Sequence, residues 1–169
     1  MNNLPFQRAE ELVRTYHTRD PFALAEMAGA NLYCEPLGSL QGMYSVICGR
    51  RCIFYNQDLS LAEAKLVVAH ELGHDQLHRD TITEFGILKE HTLLDLTAIT
   101  ELEANRFAAN LLLSDKNVLN MWKNDYTDNQ AAAELNVPLE IFLLKAEYLA
   151  TRLKLNINLR EISTKKLFG

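Results

Sequence analysis

The sequence predicts an α+β fold that is mostly helical, with a small antiparallel sheet of two or three strands. Most of the chain before residue 30 and after residue 60 places apolar side chains at helical spacing. Residues 31–56 differ, because they consist of short runs rich in β-branched and aromatic residues, separated by Gly38, Gly42 and Gly49. We expect a hairpin turn near Gly49. With 169 residues, the chain is long enough for one domain with a sizeable core.

The first helices follow from periodicity and capping signals. Residues 4–17 have an amphipathic pattern, and a second, short helix is expected over residues 21–29. After the strands, Ser60 and Glu63 have the spacing of a capping box, which satisfies two backbone donors at a helix start. The helix that begins there meets no breaker until about Arg79.

Helical patterns return after an ambiguous stretch. Residues 80–95 are expected to form a loop with some helical character. A long helix is expected from about Thr97, a shorter one over residues 115–124, and two more separated near Pro138. The polar stretch from about Asn156 is expected to be a tail or an edge segment.

Composition and charge limit the classes of function. The chain is 48% hydrophobic and 23% charged, as in an ordinary globular protein, and its net charge of −5 disfavours direct binding to nucleic acid or to an anionic membrane. No apolar run approaches the ~20 residues that span a bilayer, and the N-terminus lacks a signal-peptide pattern. Cys34, Cys48 and Cys52 are an odd count, so we expect reduced thiols in a cytoplasmic protein, buried or half-buried as small hydrophobic side chains.

Residues 70–78 read HELGHDQLH and carry the strongest chemical signal. His70 and His74 are four residues apart, so on a helix they share one face and can bind one metal ion. Zinc binds imidazole nitrogen at about 2.0–2.1 Å. Glu71 follows the first histidine and can take a proton from a metal-bound water and pass it to the leaving amine. Gly73 costs this helix about 1 kcal/mol relative to alanine, which is reasonable where another backbone approaches closely.

A catalytic zinc usually has three protein ligands, so a third must come from elsewhere. His78 lies two turns, about 12 Å, from His70 on the same helix and cannot readily converge on the same ion. Glu101 is the better candidate, because the rest of its helix face is small and apolar and a buried carboxylate there needs a cation. That face also holds Ala104, Asn105, Ala108 and Leu111. A solvated helix charge stays open for Glu101 on spacing alone, and it is the favoured interpretation for Glu103.

VVAHELGHDQLH followed by ELEANRFAANLLLS resembles the ImmA/IrrE family of zinc metallopeptidases, over roughly residues 40–115. The resemblance implies a zincin-like domain in which His70, His74 and Glu101 bind Zn²⁺. It also implies that Glu71 is the general base for attack of a zinc-bound water on a peptide bond.

The resemblance further implies a role and a substrate. Asn105 occupies the position of a polar residue that orients His70 or His74. Members of the family are cytoplasmic endopeptidases of prophages and other mobile elements, and they cleave a helix-turn-helix repressor encoded nearby. The chain resembles the shorter members, so we expect one domain over residues 1–169, with the catalytic core at about 30–115 and a C-terminal helical part at about 116–155.

Several features of the mechanism stay open at this stage. The strands before the catalytic helix can offer an edge to an extended substrate or simply pack against the helix. A donor must also stabilise the oxyanion. The candidates for it are Tyr33, Tyr44, Tyr55, His78 and His91.

Two alternatives compete with the protease. Residues 130–142 have the rhythm of a helix-turn-helix, which would suit a DNA-binding regulator, but residues 123–150 hold two Lys and five Asp or Glu, a net of −3. A non-proteolytic protein-binding regulator, toxin- or antitoxin-like, is the second alternative. The presence of Glu71 and of all three expected ligands favours the protease. Structural zinc is disfavoured because such sites usually use cysteine.

Overall fold

The computed structural model describes residues 3–81 and 93–154, with side chains from residue 98 in the second range. The described residues form seven α-helices and three strands, so the predicted α+β, mostly helical class is confirmed. In chain order the elements are α1 (Leu4–Tyr16), α2 (Pro21–Met27), β1 (Asn31–Glu35), β2 (Gly42–Ile47), β3 (Arg50–Asn56), α3 (Leu61–Leu77), a 3-10 turn (Arg79–Thr81), α4 (Leu93–Leu112), α5 (Asp115–Lys123), α6 (Asp128–Glu134) and α7 (Leu139–Leu153).

Two expectations from the sequence concern residues that lie wholly or partly outside the described ranges. Of the expected loop, residues 82–92 lie outside the described residues, whereas 93–95 already belong to α4. The tail expected from Asn156 also lies outside them. None of the helices in the described ranges is long and apolar enough to cross a membrane.

The sheet is mixed, so the expectation of an antiparallel sheet is wrong for one of its strands. β2 and β3 form the predicted antiparallel hairpin, whose two-residue turn has positive φ at Cys48 (49°) and Gly49 (73°), as a type I′ turn requires. The strand order is β1-β3-β2, and β1 pairs with β3 in parallel. The chain reverses direction between β1 and β2 and again between β2 and β3, so β1 and β3 run in the same direction. Because β3 lies between the other two strands, β1 pairs with β3 and not with β2.

The chain divides into two compact units, Met1–Leu112 and Leu113–Gly169. In the first unit α3 is the central helix. Its Val68 and Leu72 are fully buried between the inner face of the sheet and α4, which contributes Phe107. A helix that is apolar around most of its circumference must be covered on several sides, which explains why α3 contacts α2, the sheet and α4.

Gly73 sets the distance between α3 and α4. A Cβ added there would lie 3.0 Å from the Ala104 Cα and 3.2 Å from the Ala104 carbonyl oxygen. Any larger residue would therefore push against the backbone of α4. The close approach expected for this glycine is confirmed, and it occurs at the residue directly before His74.

The described part of the second unit, up to residue 154, is helical. α6 begins with a capping box between Thr127 and Gln130, and Pro138 separates α6 from α7, as predicted. Lys145 is buried on α7 and donates to the carboxylate of Asp115, 2.6 Å away, at the start of α5.

Candidate metal centre

α3 presents His70 and His74 on one face. The helix begins with the predicted capping box, in which the Ser60 side chain accepts from the backbone N–H of Glu63 and the Ser60 N–H donates to the Glu63 carboxylate. It then continues unbroken through both histidines to Leu77. The Nε2 atoms of the two imidazoles lie 3.1 Å apart. One uninterrupted helix is therefore enough to bring both rings to one point.

α4 brings the third side chain. The two carboxylate oxygens of Glu101 lie 3.1 Å from Nε2 of His70 and 3.2 Å from Nε2 of His74. Two ligand atoms of a tetrahedral zinc at about 2.0–2.1 Å are about 3.3 Å apart, so the spacing suits one ion. The three side chains that the sequence singled out thus form a group that can hold a metal.

The charges of this group also suit a cation. The hydrogen bonds of His70 and His74 hold the pKa of the Glu101 carboxyl well below its usual range. Burial lowers the pKa of His70, but the hydrogen bond to Glu101 and the charges of Glu71 and Glu101 outweigh it, and the pKa is raised. The site therefore favours positive charge between its ligand atoms. A divalent ion would supply that charge.

Asn105 orients His70. Its Oδ1 lies 2.9 Å from Nδ1 of His70. A carbonyl oxygen can only accept, so Nδ1 of His70 donates to Asn105, and Nε2 is the ring nitrogen left to bind a metal. The sequence left open whether Asn105 contacts His70 or His74, and in the structure it contacts His70.

His78 does not join the three ligand atoms, in agreement with the geometric argument. Its Nδ1 lies 3.2 Å from Nδ1 of His74, on the side of that ring away from Glu101, and its Nε2 lies 3.0 Å from the carboxylate of Glu103. The expectation that Glu103 is a solvated charge is wrong. The end of α3 lies against α4 at this point, so Glu103 meets a histidine there, and its side chain is only 20% exposed.

Glu71 lies beside the metal centre and is 9% exposed. Burial raises the pKa of its carboxyl, and this outweighs the lowering by His70, His74 and a hydrogen bond from the backbone of Tyr44. Gly42 on β2 provides the room, since a Cβ there would lie 3.2 Å from a Glu71 carboxylate oxygen. Glu71 is thus a carboxylate that can exchange a proton closer to neutral pH than an exposed one.

A cavity of about 450 Å³ opens beside Glu71 and His70. Its lining residues come from the β1–β2 connection, the start of β2, α3 and α4. They are Ser39, Leu40, Gln41, Gly42, Leu66, Val67, His70, Glu71 and Asn105.

None of the described oxyanion candidates lines this cavity. Tyr33 stacks on a phenylalanine of β3, with ring centroids 5.0 Å apart, and Tyr55 packs edge-on against a phenylalanine of α2 at 5.4 Å. Tyr44 is buried in the core, and His78 contacts His74 on the side away from Glu101. His91 lies outside the described residues. The three tyrosine hydroxyl groups are therefore not part of this cavity's lining.

The comparison with protein families agrees with this geometry. The model of the Peptidase M78 family, described as the IrrE N-terminal-like domain, matches residues 25–147. The chain belongs to the Peptidase M78 family. The resemblance inferred from the two sequence motifs is confirmed, and with it a metallopeptidase role.

Two relatives of this M78 peptidase extend over most of its length. "Uncharacterized immunity region protein 2" of Bacillus phage phi105 is 36% identical over 138 residues, which cover 80% of this chain and 85% of that protein. "Metallopeptidase ImmA" of Bacillus subtilis (strain 168) is 26% identical over 135 residues, which cover 78% of this chain and 77% of that protein.

The sequence reasoning missed the support behind α3 in this M78 peptidase. Asp75 is fully buried one residue after His74, and it accepts from Arg51 at 3.1 Å, Arg79 at 3.2 Å and Gln76 at 2.6 Å. A buried carboxylate is stable only with such partners. The sequence did contain a sign of this, because Asp75 is a charged residue within an apolar helix. Its partner on β3, Arg51, could not be predicted from the spacing of residues.

Proposed function

We propose that this protein is a zinc-dependent endopeptidase in which His70, His74 and Glu101 hold the metal and Glu71 is the general base. One observation carries the proposal. Nε2 of His70 and Nε2 of His74 lie 3.1 Å apart, each lies 3.1–3.2 Å from an oxygen of Glu101, and a buried carboxylate, Glu71, lies next to them on α3. Two nitrogens and one carboxylate are a donor set typical of catalytic zinc. When bound, zinc supplies a Lewis acid that polarises the peptide carbonyl and makes water a nucleophile near neutral pH.

The contribution of Glu71 is proton transfer. Its carboxylate takes the proton of the attacking water and delivers it to the amine of the cleaved bond. The raised pKa serves both steps, because a group that titrates nearer to neutral pH both accepts and releases a proton readily. Burial beside Gly42 limits where this carboxylate can move.

The edge of the sheet offers a place for the substrate. β2 is an edge strand, and its first residue, Gly42, lines the cavity beside Glu71. An extended polypeptide can add to such an edge through backbone hydrogen bonds, which would bring a peptide bond to the metal. An extended protein segment is therefore the substrate that the site suits best.

A helix-turn-helix repressor encoded nearby, in the cytoplasm, is the substrate that we propose. The resemblance to ImmA/IrrE peptidases supports this, and so does the printed name of the phage phi105 relative, which is that of an immunity region protein. The three cysteines are free in the structure, which fits a reducing compartment. Only Cys52 is buried as expected, whereas the expectation is wrong for Cys34 and Cys48, which are exposed.

The test is co-expression of the wild type or Glu71→Gln with the neighbouring repressor, followed by intact-mass measurement of the repressor. A single defined cut with the wild type, absent with Glu71→Gln, is the expected result. Equal cutting by both proteins would overturn the role of Glu71. An intact repressor that co-purifies with both proteins would contradict proteolysis and favour a binding regulator.

A further inference from the structure

His74, His78 and Glu103 form a hydrogen-bonded chain that leads away from the metal centre. Nδ1 of His74 lies 3.2 Å from Nδ1 of His78, and Nε2 of His78 lies 3.0 Å from a carboxylate oxygen of Glu103. Both links lie on the Nδ1 side of His74, away from the Nε2 atom that faces Glu101. The chain is therefore placed to act on the ring of His74 without competing for a metal.

The proton positions along this chain follow from its last member. A carboxylate accepts, so Nε2 of His78 is the donor to Glu103. In a neutral imidazole the other nitrogen, Nδ1, is then an acceptor, and it receives the Nδ1–H of His74. Nε2 of His74 is then the ring nitrogen left to bind a metal, and it lies 3.1 Å from Nε2 of His70 and 3.2 Å from an oxygen of Glu101.

The backbone around His78 keeps its ring in place. The N–H of His78 donates to the carbonyl of His74 at 2.9 Å, and its carbonyl accepts from both the N–H and the hydroxyl of Thr81, at 3.0 and 2.7 Å. The residue is 7% exposed. A buried imidazole whose backbone is held on both sides loses little further freedom when its ring binds two partners.

We propose that His78 and Glu103 are positioning residues for the metal, which fix the tautomer and the orientation of His74. This inference rests on the proposed metal centre. His70 is oriented by one neutral acceptor, Asn105, whereas His74 is oriented by an imidazole that is itself bonded to a carboxylate. Histidine ligands generally depend on such partners, and losing one typically weakens metal affinity by about 10–100-fold.

The experiment measures zinc affinity by competition with a chromophoric chelator, for the wild type and five variants. The variants are His78→Leu, His78→Asn, Glu103→Ala, the double variant His78→Leu/Glu103→Ala, and Glu134→Ala, an exposed charge-matched control on α6. We expect affinity to fall about 10–100-fold for His78→Leu and for Glu103→Ala. His78→Asn should stay within roughly threefold of the wild type, because its side-chain oxygen can accept the Nδ1–H of His74.

The double variant shows whether Glu103 acts on His74 through His78 or whether the two residues affect zinc binding independently. If Glu103 acts through His78, His78→Leu/Glu103→Ala binds zinc no more weakly than His78→Leu alone. Additive losses, or an equal loss in Glu134→Ala, would overturn the proposal. Nitrogen-15 NMR of the zinc-loaded wild type should show His78 protonated at Nε2 only, and a proton on its Nδ1 would also overturn it.

The outcomes distinguish this inference from the proposed function. A wild type that binds zinc, with His78→Leu and Glu103→Ala binding it equally well, would overturn the positioning roles and leave the peptidase proposal intact. A wild type without affinity for zinc would overturn both. Because His78→Leu can fail to fold, circular dichroism accompanies each titration, and Glu103→Ala tests the same chain without changing the end of α3.

Discussion

The α3 side and the α4 side of the proposed metal centre each contribute one carboxylate, and the two lie in opposite environments. Glu71 on α3 is buried, and burial raises its pKa. The side chain of Glu101 on α4 is 48% exposed, and hydrogen bonds with His70 and His74 lower its pKa. Environments that move the pKa values of neighbouring carboxylates apart typically give them different tasks. One carboxylate suits proton exchange and the other suits binding a cation.

The difference arises from where each side chain starts. Glu71 follows His70 directly, so helix geometry turns it about 100° away from the ligand face, towards Gly42 on β2. Glu101 comes from another helix and approaches both imidazoles from the opposite side. The two glutamates thus differ in burial and in pKa because they lie on different helices.

The largest effect is expected for Glu71→Gln. Removing the proposed general base should lower the rate of substrate cleavage by about 10²–10⁴-fold, while zinc affinity stays near that of the wild type, because Glu71 is not one of the proposed ligands. Chelator competition and the cleavage rate, measured on one preparation, check this. A parallel loss of zinc affinity would show that the two carboxylates share one task.

The converse is expected for Glu101→Ala. Loss of a ligand should weaken zinc binding by more than the roughly 10–100-fold that loss of an outer partner costs, and cleavage should fall with it. Glu134→Ala, which removes an exposed glutamate, is the matched control. Unchanged zinc affinity in Glu101→Ala would contradict its assignment as a ligand.

Gly73→Ala should separate the two sides of the site. The added Cβ would meet the backbone of Ala104 at 3.0 Å, so α3 and α4 must move apart and carry Glu101 away from the histidines. We expect zinc affinity to fall on the order of tenfold, about 1.4 kcal/mol. The same substitution favours the isolated helix by about 1 kcal/mol. Tighter zinc binding would therefore show that the close approach of the helices is not required.

The smallest effect is expected for Gly42→Ala, which disturbs only the α3 side. Its Cβ would lie 2.3 Å from a methyl of Val67 and 3.2 Å from a carboxylate oxygen of Glu71. Overpacking of this kind should cost about 1–3 kcal/mol of unfolding free energy, measured by urea denaturation. Cleavage should slow while zinc affinity is kept. A loss of zinc affinity instead would mean that β2 supports the ligands.

Which parts of the site were predictable depends on whether they lie within one element. His70, Glu71 and His74 followed from the period of a single helix, and Glu101 from the apolar face around it. The contact between His78 and Glu103 could not be predicted in this way. It depends on how α3 and α4 are placed along each other, and the spacing of residues within one helix gives no information about that.

The same distinction applies to the fold. Strand composition predicted where β1, β2 and β3 lie and where the hairpin turns, but the parallel pairing of β1 with β3 depends on strand order. The sequence left the choice among the oxyanion candidates open for a related reason. Side chains alternate between the two faces of a sheet along each strand. That alternation does not say which face is turned towards the metal centre, so it cannot place the side chain of Tyr33 or Tyr44.

The most direct test of the metal centre is anomalous diffraction from crystals of the zinc-loaded protein. The account predicts one zinc peak within about 2.0–2.2 Å of Nε2 of His70, Nε2 of His74 and an oxygen of Glu101, with Glu71 close to the ion but not bound to it. A peak coordinated by Glu71 or His78 in place of Glu101, or no peak between these helices, would contradict it.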